Sequence, residues 1–466
     1  MTIIHLSAEC YPVAKVGGLA DVVGALPKYQ NDLGNTASVI MPFYNNKFTQ
    51  SHTFSSVFNA ELNLAGKKIP FEVLTLVENT LGFAIFFIHI EPLLYKDYVY
   101  SNTDTERFLA FQIAALDWLK SQDNKPDIIH CHDHHTGLIP FMLQESFEYK
   151  SLNNIPVVFT IHNAQYQGWF SHDLVHLIPK FNFDHVGLID WNHQINPLAA
   201  AIKCAWQVTT VSPSYMEELK EKANGLEWLL AHEHEKCVGI LNGIDTAVWN
   251  PETDEFIIKN YNSTSVSAGK KANKKWLCDT FDLDDKKPLF VFIGRLVGEK
   301  GADLFPEIFS EVLKNNAISI LLLGSGETET EQALKDLSAD YKNYNHFIGY
   351  DEKLSHILYA GADFLIMPSR VEPCGLNQLY ALRYGTVAIV NNIGGLKDTI
   401  TDLSNDGFGI IIPSATIEAT VTGILRAKTF YTKKEAFKTT QKHIMAINHS
   451  WLQSAKTYQE LYKNIS

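Results

Sequence analysis

Short segments rich in β-branched residues alternate with stretches of helical apolar spacing, and they do so twice, on either side of one polar interval. This rhythm limits the fold more than any other feature. Thr2 to Ser7 (TIIHLS) reads as a buried strand. Leu19 to Leu33 repeats apolar residues at helical spacing and stops at Gly34, and Ser38 to Pro42 (SVIMP) is the next strand. DIIHCH with a helix from about Thr136, then PVVFTIHN, then QVTTVS with its helix PSYMEELKEK, continue the alternation. Such alternation predicts a parallel sheet covered by helices on both faces. The rhythm stops after GILNGID (Gly239 to Asp245). Residues 251–287 are polar and lysine-rich and carry no strand. It resumes at PLFVFIGRL (Pro288 to Leu296) and runs through AISILLLGSG, NHFIGY, ADFLIMPS, TVAIVNN and GFGIII, and residues 433–466 read as helical. The expected fold class is α/β, with two doubly wound, Rossmann-like parallel-sheet domains facing a cleft. The expected boundaries are 1–245, 246–445 and a terminal helix 446–466, with a hinge near 246–255.

The 466 residues suffice for two or three domains at roughly 150 residues each, and 46% hydrophobic content supports full cores. With 39 basic and 52 acidic side chains the net charge is −13. That charge argues against nucleic acid or an anionic membrane as a partner, so an anionic ligand must be met by a few placed cations. Six cysteines lie scattered without C-x-x-C spacing, so neither a disulfide framework nor a zinc knuckle is implied, and a reducing compartment fits. No secretion signal and no apolar run of about 20 residues is seen, so the expectation is a cytoplasmic chain.

Several strand ends carry chemistry. In KVGGLADVVGALP, Lys15 precedes Gly17 and Gly18 at a helix start, where amides and the helix dipole attract anions; a plain Gly-Gly turn is the alternative. GGLAD recurs as GGLKD at Gly394 to Asp398. In GRLVGEKG, Arg295 offers a planar fork and Lys300 a point charge from one loop. In SRVEPCGLNQLYAL, Glu372 precedes a helix opened by Cys374 and Gly375, so the Cys374, Gly375 and Leu376 amides are expected free. Cys374 itself reads as a small buried residue rather than a nucleophile. HCHDHHTGL (His130 to Leu138) resembles a metal site, but the H-x-H-x-D-H hydrolase spacing needs aspartate where His134 stands. His162 and Asn242 end two further strands. The set Lys15, His132, Asp133, His162, Asn242, Arg295, Lys300 and Glu372 suits a phosphate and a sugar better than a metal ion.

KVGGLADVVGALP, HCHDHHTGL, IHNAQYQG, TTVSPSY, GILNGIDTAVWNP, GRLVGEKGADL, GYDE, SRVEPCGLNQLYALRYGT and GGLKDTI stand in this order along almost the whole chain. In this the chain resembles bacterial glycogen synthases and plant starch synthases. The resemblance implies a glycosyltransferase-B arrangement and transfer of glucose, with retention, from a nucleotide sugar, usually ADP-glucose, to the non-reducing end of an α-1,4-glucan. It places Lys15 with the Gly17 and Gly18 amides at the donor's phosphates and glucose, and Arg295 and Lys300 on the diphosphate. His162 and Asn242 hold the glucose from the first domain, and Asp133 lies near the reacting sugar face. Glu372 bonds glucose hydroxyls beside the Cys374 to Leu376 amides, Tyr350 stacks near the base, and Asp21 and Asn377 join the substrate-binding set. No cofactor and no metal is implied; UDP-glucose is the competing donor. The sequence departs from the family at NPLAAAI, where Ala199 replaces a lysine, at Ala205-Trp206, and in the shortened EKANGLEWLL. Two other classes stay open: a metal-dependent hydrolase built on HCHDHH, and a non-catalytic glucan-binding protein.

Overall fold

In the computed structural model, which describes residues 1–314 and 317–466, the chain divides into two compact units. The first joins Met1–Ile240 to Trp451–Ser466, and the second is Leu241–Ser450. The sequence reading put the first boundary at 245 and Asn242 in the first domain. Asn242 falls instead in the second unit, because the chain after Ile240 pairs with residues just before Trp451. The Ile244 N–H donates to the His449 carbonyl at 2.8 Å, and Ile244 bridges Ser450.

The sheet of the first unit has nine strands. Their order is Cys237–Gly239, Gln207–Thr210, Val157–Ile161, Ile128–His132, Thr2–Leu6, Thr36–Pro42, Ala84–His89, Lys67–Leu76 and Phe54–Leu64. Seven run parallel, as the alternation predicts. Lys67–Leu76 runs against them and pairs antiparallel with both neighbours, so the sheet is mixed, a departure from the expected parallel sheet. Their faces explain the difference. Phe54–Leu64 is largely solvated, which an antiparallel edge tolerates and a parallel strand does not. By contrast, Ile128–His132 and Val157–Ile161 are buried throughout, as central parallel strands must be.

The helical stretch 433–466 is two helices, Lys434–Ala446 and Trp451–Ile465. The second buries Trp451, Ser454, Ala455, Tyr458 and Tyr462. This spacing makes one apolar face, which shares a core cluster with Val22 and Leu26 of helix Gly18–Asp32.

The second unit holds a six-stranded parallel sheet in the order Tyr344–Ile348, Ser319–Gly326, Leu289–Leu296, Phe364–Met367, Val387–Asn391, Ile410–Ile412. Helix Val266–Thr280 occupies the polar interval. Two of its lysines point inward: the Lys270 Nζ donates to the carbonyls of Tyr359, Ala360 and Tyr384 and to the Thr386 Oγ1, and Lys274 pairs with Asp363 at 2.7 Å.

Both sheets have a point where strand order reverses. In the first it lies between Thr2–Leu6 and Ile128–His132, and in the second between Leu289–Leu296 and Phe364–Met367. Open α/β sheets bind ligands beyond the carboxyl ends of strands at such points. Among the described residues, no helix is long and apolar enough to cross a membrane.

Candidate functional site

At the first reversal point the loop after Thr2–Leu6 carries Lys15, Gly17 and Gly18. It is organised by Glu9, which the sequence reading missed. One carboxylate oxygen of Glu9 accepts the Val16 N–H at 2.6 Å and the Gly17 N–H at 3.0 Å, and the other accepts the Tyr100 hydroxyl. Burial pushes this carboxyl up from its ordinary value, and the three donors oppose the shift. The Gly17 amide is therefore engaged within the loop, contrary to the expectation that it faces a ligand. Gly18 begins helix Gly18–Asp32, so its N–H lies outside the helical ladder. Lys15 Nζ donates to Asp21 Oδ1 at 2.6 Å, which aims the ammonium across the first helical turn. Burial raises the Asp21 carboxyl and Lys15 opposes that rise.

Asp133 follows Ile128–His132 with a positive φ of 57° and ψ 175°. Its Oδ1 accepts the His162 N–H at 2.8 Å, joining the ends of two adjacent strands. Burial pushes the Asp133 carboxyl up to about 7, against that hydrogen bond. The His162 ring lies behind this contact, with its Nε2 3.0 Å from His132 Nδ1. The expected helix from Thr136 begins as a short turn at His134–Thr136 and becomes α-helical only at Ile139–Glu145.

The metal reading of HCHDHH can be tested on these side chains. His5, His130 and His132 each bring a ring nitrogen within 4.8 Å of the others. Every ring nitrogen of the three is already hydrogen-bonded. His5 is bonded to His132 and Gln30, His130 to Tyr462 and Thr160, and His132 to His5 and His162. The cluster reads as a closed hydrogen-bond network.

At the second reversal point two loops are clipped together. The Arg370 and Val371 N–H groups both donate to the Glu299 carbonyl, and Arg370 forms a two-toothed pair with Asp303 at 2.6 and 2.8 Å. Lys300 Nζ lies 2.6 Å from Glu372 Oε2, which also accepts the Ser369 hydroxyl at 2.9 Å. One ammonium proton is used here, which leaves the others for anionic oxygens. Arg295, at the end of the strand Leu289–Leu296 rather than in the loop that carries Lys300, is largely exposed and only loosely paired with Glu299 at 3.5 Å. Gly394 and Gly395 of the repeated motif press on the Glu372 segment. The Gly395 N–H bonds the Glu372 and Pro373 carbonyls, and a Cβ at Gly394 would meet the Glu372 carbonyl at 2.1 Å.

The helix expected from Cys374 starts three residues later, at Asn377. Gly375, with φ +73°, turns the chain first. The Cys374, Gly375 and Leu376 amides thus belong to a turn before the helix. Asn377 ties that helix to the neighbouring strand through the Ile293 carbonyl at 2.6 Å. Burial pushes the Cys374 thiol up to about 12, which agrees with a packing role. Asn242 lies near it, with a buried Oδ1 that has no hydrogen-bond partner among the described residues. Tyr350, 80% exposed, follows the strand Tyr344–Ile348.

Two doubly wound units fit the glycosyltransferase-B fold, and similarity to known proteins shows that this is the class. Residues 2–232 match the family described as the starch synthase catalytic domain, and residues 279–443 match glycosyl transferases group 1. The chain is 50% identical to a glycogen synthase of Flavobacterium johnsoniae, over 100% of this chain and 99% of that one. It is 36% identical to a glycogen synthase of Anoxybacillus flavithermus, over 100% and 98%. The catalytic domain of starch synthase IV from Arabidopsis thaliana, solved with ADP and acarbose, superposes with a TM-score of 0.90 at 31% identity, covering 99% of both chains. A sucrose-phosphate synthase from Thermosynechococcus elongatus, at 15% identity and TM-score 0.62 over 100% and 98%, shares the fold. The chain belongs to the glycogen synthase and starch synthase family, glucosyltransferases that move glucose from a nucleoside diphosphate glucose to a glucan.

Proposed function

We propose that the donor is ADP-glucose and that glucose is added, with retention, to the non-reducing end of an α-1,4-glucan in the cytoplasm. The observation that carries the site assignment is the Lys300–Glu372 pair at the reversal point of the second sheet. Breaking the bond from the anomeric carbon builds charge on the departing diphosphate. Cations placed there favour the transition state over the ground state. Lys300 and Arg295 take that role. Glu372 holds the Lys300 ammonium in place and accepts sugar hydroxyls with its remaining lone pairs. The turn amides of Cys374, Gly375 and Leu376 and the side chains of Asn377 and Asn242 surround the same ligand, and Tyr350 supports the base.

From the first unit, Lys15 and the Gly18 amide meet phosphate and glucose, with Asp21 fixing Lys15 and Glu9 shaping the loop. Asp133 and His162 serve the reacting sugar. With no carboxylate assigned as nucleophile, the leaving phosphate takes the acceptor's proton. The six cysteines are unpaired, in keeping with a reducing compartment.

The test is nucleotide release from ADP-glucose and from UDP-glucose with glycogen as acceptor. ADP release coupled to chain extension, well above UDP release, supports the proposal. Faster turnover of UDP-glucose overturns the donor assignment.

A further inference from the structure

Beneath the first reversal point runs a buried chain of hydrogen bonds joining two helices to His162. Gln30, on helix Gly18–Asp32, has its Oε1 2.8 Å from His5 Nε2 and its Nε2 3.1 Å from the Tyr462 hydroxyl, on helix Trp451–Ile465. His5 Nδ1 lies 3.0 Å from His132 Nε2, and His132 Nδ1 lies 3.0 Å from His162 Nε2. On the other branch, Tyr462 lies 2.7 Å from His130 Nδ1, and His130 Nε2 lies 2.6 Å from Thr160 Oγ1. Gln30, His5, His130, His132 and Thr160 are buried, and Tyr462 is fully enclosed.

The direction of every bond follows from the Gln30 amide, whose Oε1 faces His5 and whose Nε2 faces Tyr462. A carbonyl oxygen only accepts, so His5 must carry its proton on Nε2. Its Nδ1 is then an acceptor, so His132 must donate from Nε2. The His132 Nδ1 is in turn an acceptor, so His162 must donate from Nε2. In the orientation shown, the Gln30 NH2 donates to the Tyr462 oxygen, whose own proton goes to His130 Nδ1; turning the amide over would reverse every bond of the chain and put the His162 proton on Nδ1. Burial holds His5 near 4 and His162 near 3, and pushes His130 and His132 well below their ordinary value, so all four rings stay neutral at neutral pH. Among the described residues, the hydrogen bond of the His162 ring runs through its Nε2.

We propose that Gln30 and Tyr462 are positioning residues. Acting through His5 and His132, they fix His162 as the Nε2–H tautomer and present its Nδ1 as an obligate hydrogen-bond acceptor for a hydroxyl of the transferred glucose. The tautomer half rests on the hydrogen-bond chain and the Gln30 amide orientation, and the hydroxyl half rests on the site reading given under Proposed function. Helix Trp451–Ile465, far from His162 in sequence, thereby sets the polarity of a sugar contact.

Two variants test this, Tyr462→Phe and Gln30→Leu. The first is conservative in shape, and melting temperature monitors whether each folds. Selective 15N-histidine spectra, with His162→Gln for assignment, read the tautomer, since the unprotonated ring nitrogen resonates far from the protonated one. Steady-state kinetics use ADP-glucose and its monodeoxy analogues. The expected result is a bare Nδ1 in the parent protein and a mixed or reversed tautomer in the variants. With it comes a loss of about tenfold in kcat/KM, and the loss disappears for the one deoxy analogue that lacks the contacted hydroxyl. A protonated His162 Nδ1 in the parent protein, or an unchanged tautomer in the folded variants, overturns the proposal. A changed tautomer with unchanged kcat/KM upholds the relay but removes His162 from the sugar contact, and with it the functional half of the proposal.

Discussion

Lys300 Nζ and Glu372 Oε2 meet at 2.6 Å, although 72 residues separate them in the chain. They follow the two strands that flank the reversal point of the second sheet, and the Glu299 carbonyl clips their loops together. A charge-assisted hydrogen bond of this kind is worth about 1.5–3 kcal/mol. Glu372→Gln keeps the shape and removes the charge. It should lower kcat/KM by about 10-fold to 150-fold and leave the fold intact, as read by kinetics beside a melting curve. Full activity would show that the pair is not part of the machinery.

The glycines of the two repeated motifs should behave oppositely. At Gly394, with φ +42°, an added Cβ would strike the Glu372 carbonyl at 2.1 Å, whereas at Gly17 and Gly18 it would meet nothing within 4 Å. Gly394→Ala should lower stability by at least about 1–3 kcal/mol and reduce activity with it. Gly17→Ala should melt like the parent protein. Denaturant unfolding of both variants reads the contrast.

Asp133 makes stability depend on pH. Between its ordinary value of 3.8 and about 7 the unfolded chain has this carboxyl ionised while the folded chain keeps it protonated. The folded state holds the extra proton, so this contribution is full below 3.8 and lost as pH rises through 7. Asp133→Asn should therefore gain stability relative to the parent protein as pH rises across that window, seen by melting the pair at several pH values.

The buried histidines act with the opposite sign. His134 is held near 4 by burial, below its ordinary 6.5. As pH falls through 6.5 the unfolded chain takes up protons that the folded chain refuses, so stability falls until the folded value is reached. Each such ring contributes up to about 1.4 kcal/mol per pH unit. His5 and His162 behave alike. The protein should lose stability steeply from pH 6.5 towards 4, and His134→Gln should flatten the slope by about one proton's worth.

The sequence carried the strand alternation, and with it the loops that hold Lys15, Asp133, Arg295, Lys300 and Glu372. It hid what depends on pairing across the chain. Helix Val266–Thr280 was obscured because Lys270 and Lys274 look solvated in a lysine-rich stretch, yet their ammonium groups find carbonyls and Asp363 inside. Glu9 stands alone before a glycine loop, and its partners are two backbone amides and the distant Tyr100 hydroxyl, which no residue pattern records. An acid just upstream of two glycines was the one available signal. The helix start at Asn377 was missed because the Gly375 turn reads as easily as a helix opening. The network of His5, His130 and His132 resembled a metal site because spacing shows which residues gather, not which nitrogens are already bonded.

The most direct test is the kcat of Lys300→Ala and of Arg295→Ala at saturating ADP-glucose and glycogen, with folding checked by melting temperature. Loss of a donor that stabilises transition-state charge costs on the order of 10²–10³ in rate, and each variant should fall by that amount. Near-normal turnover in either folded variant would contradict the assignment of these cations to the departing diphosphate.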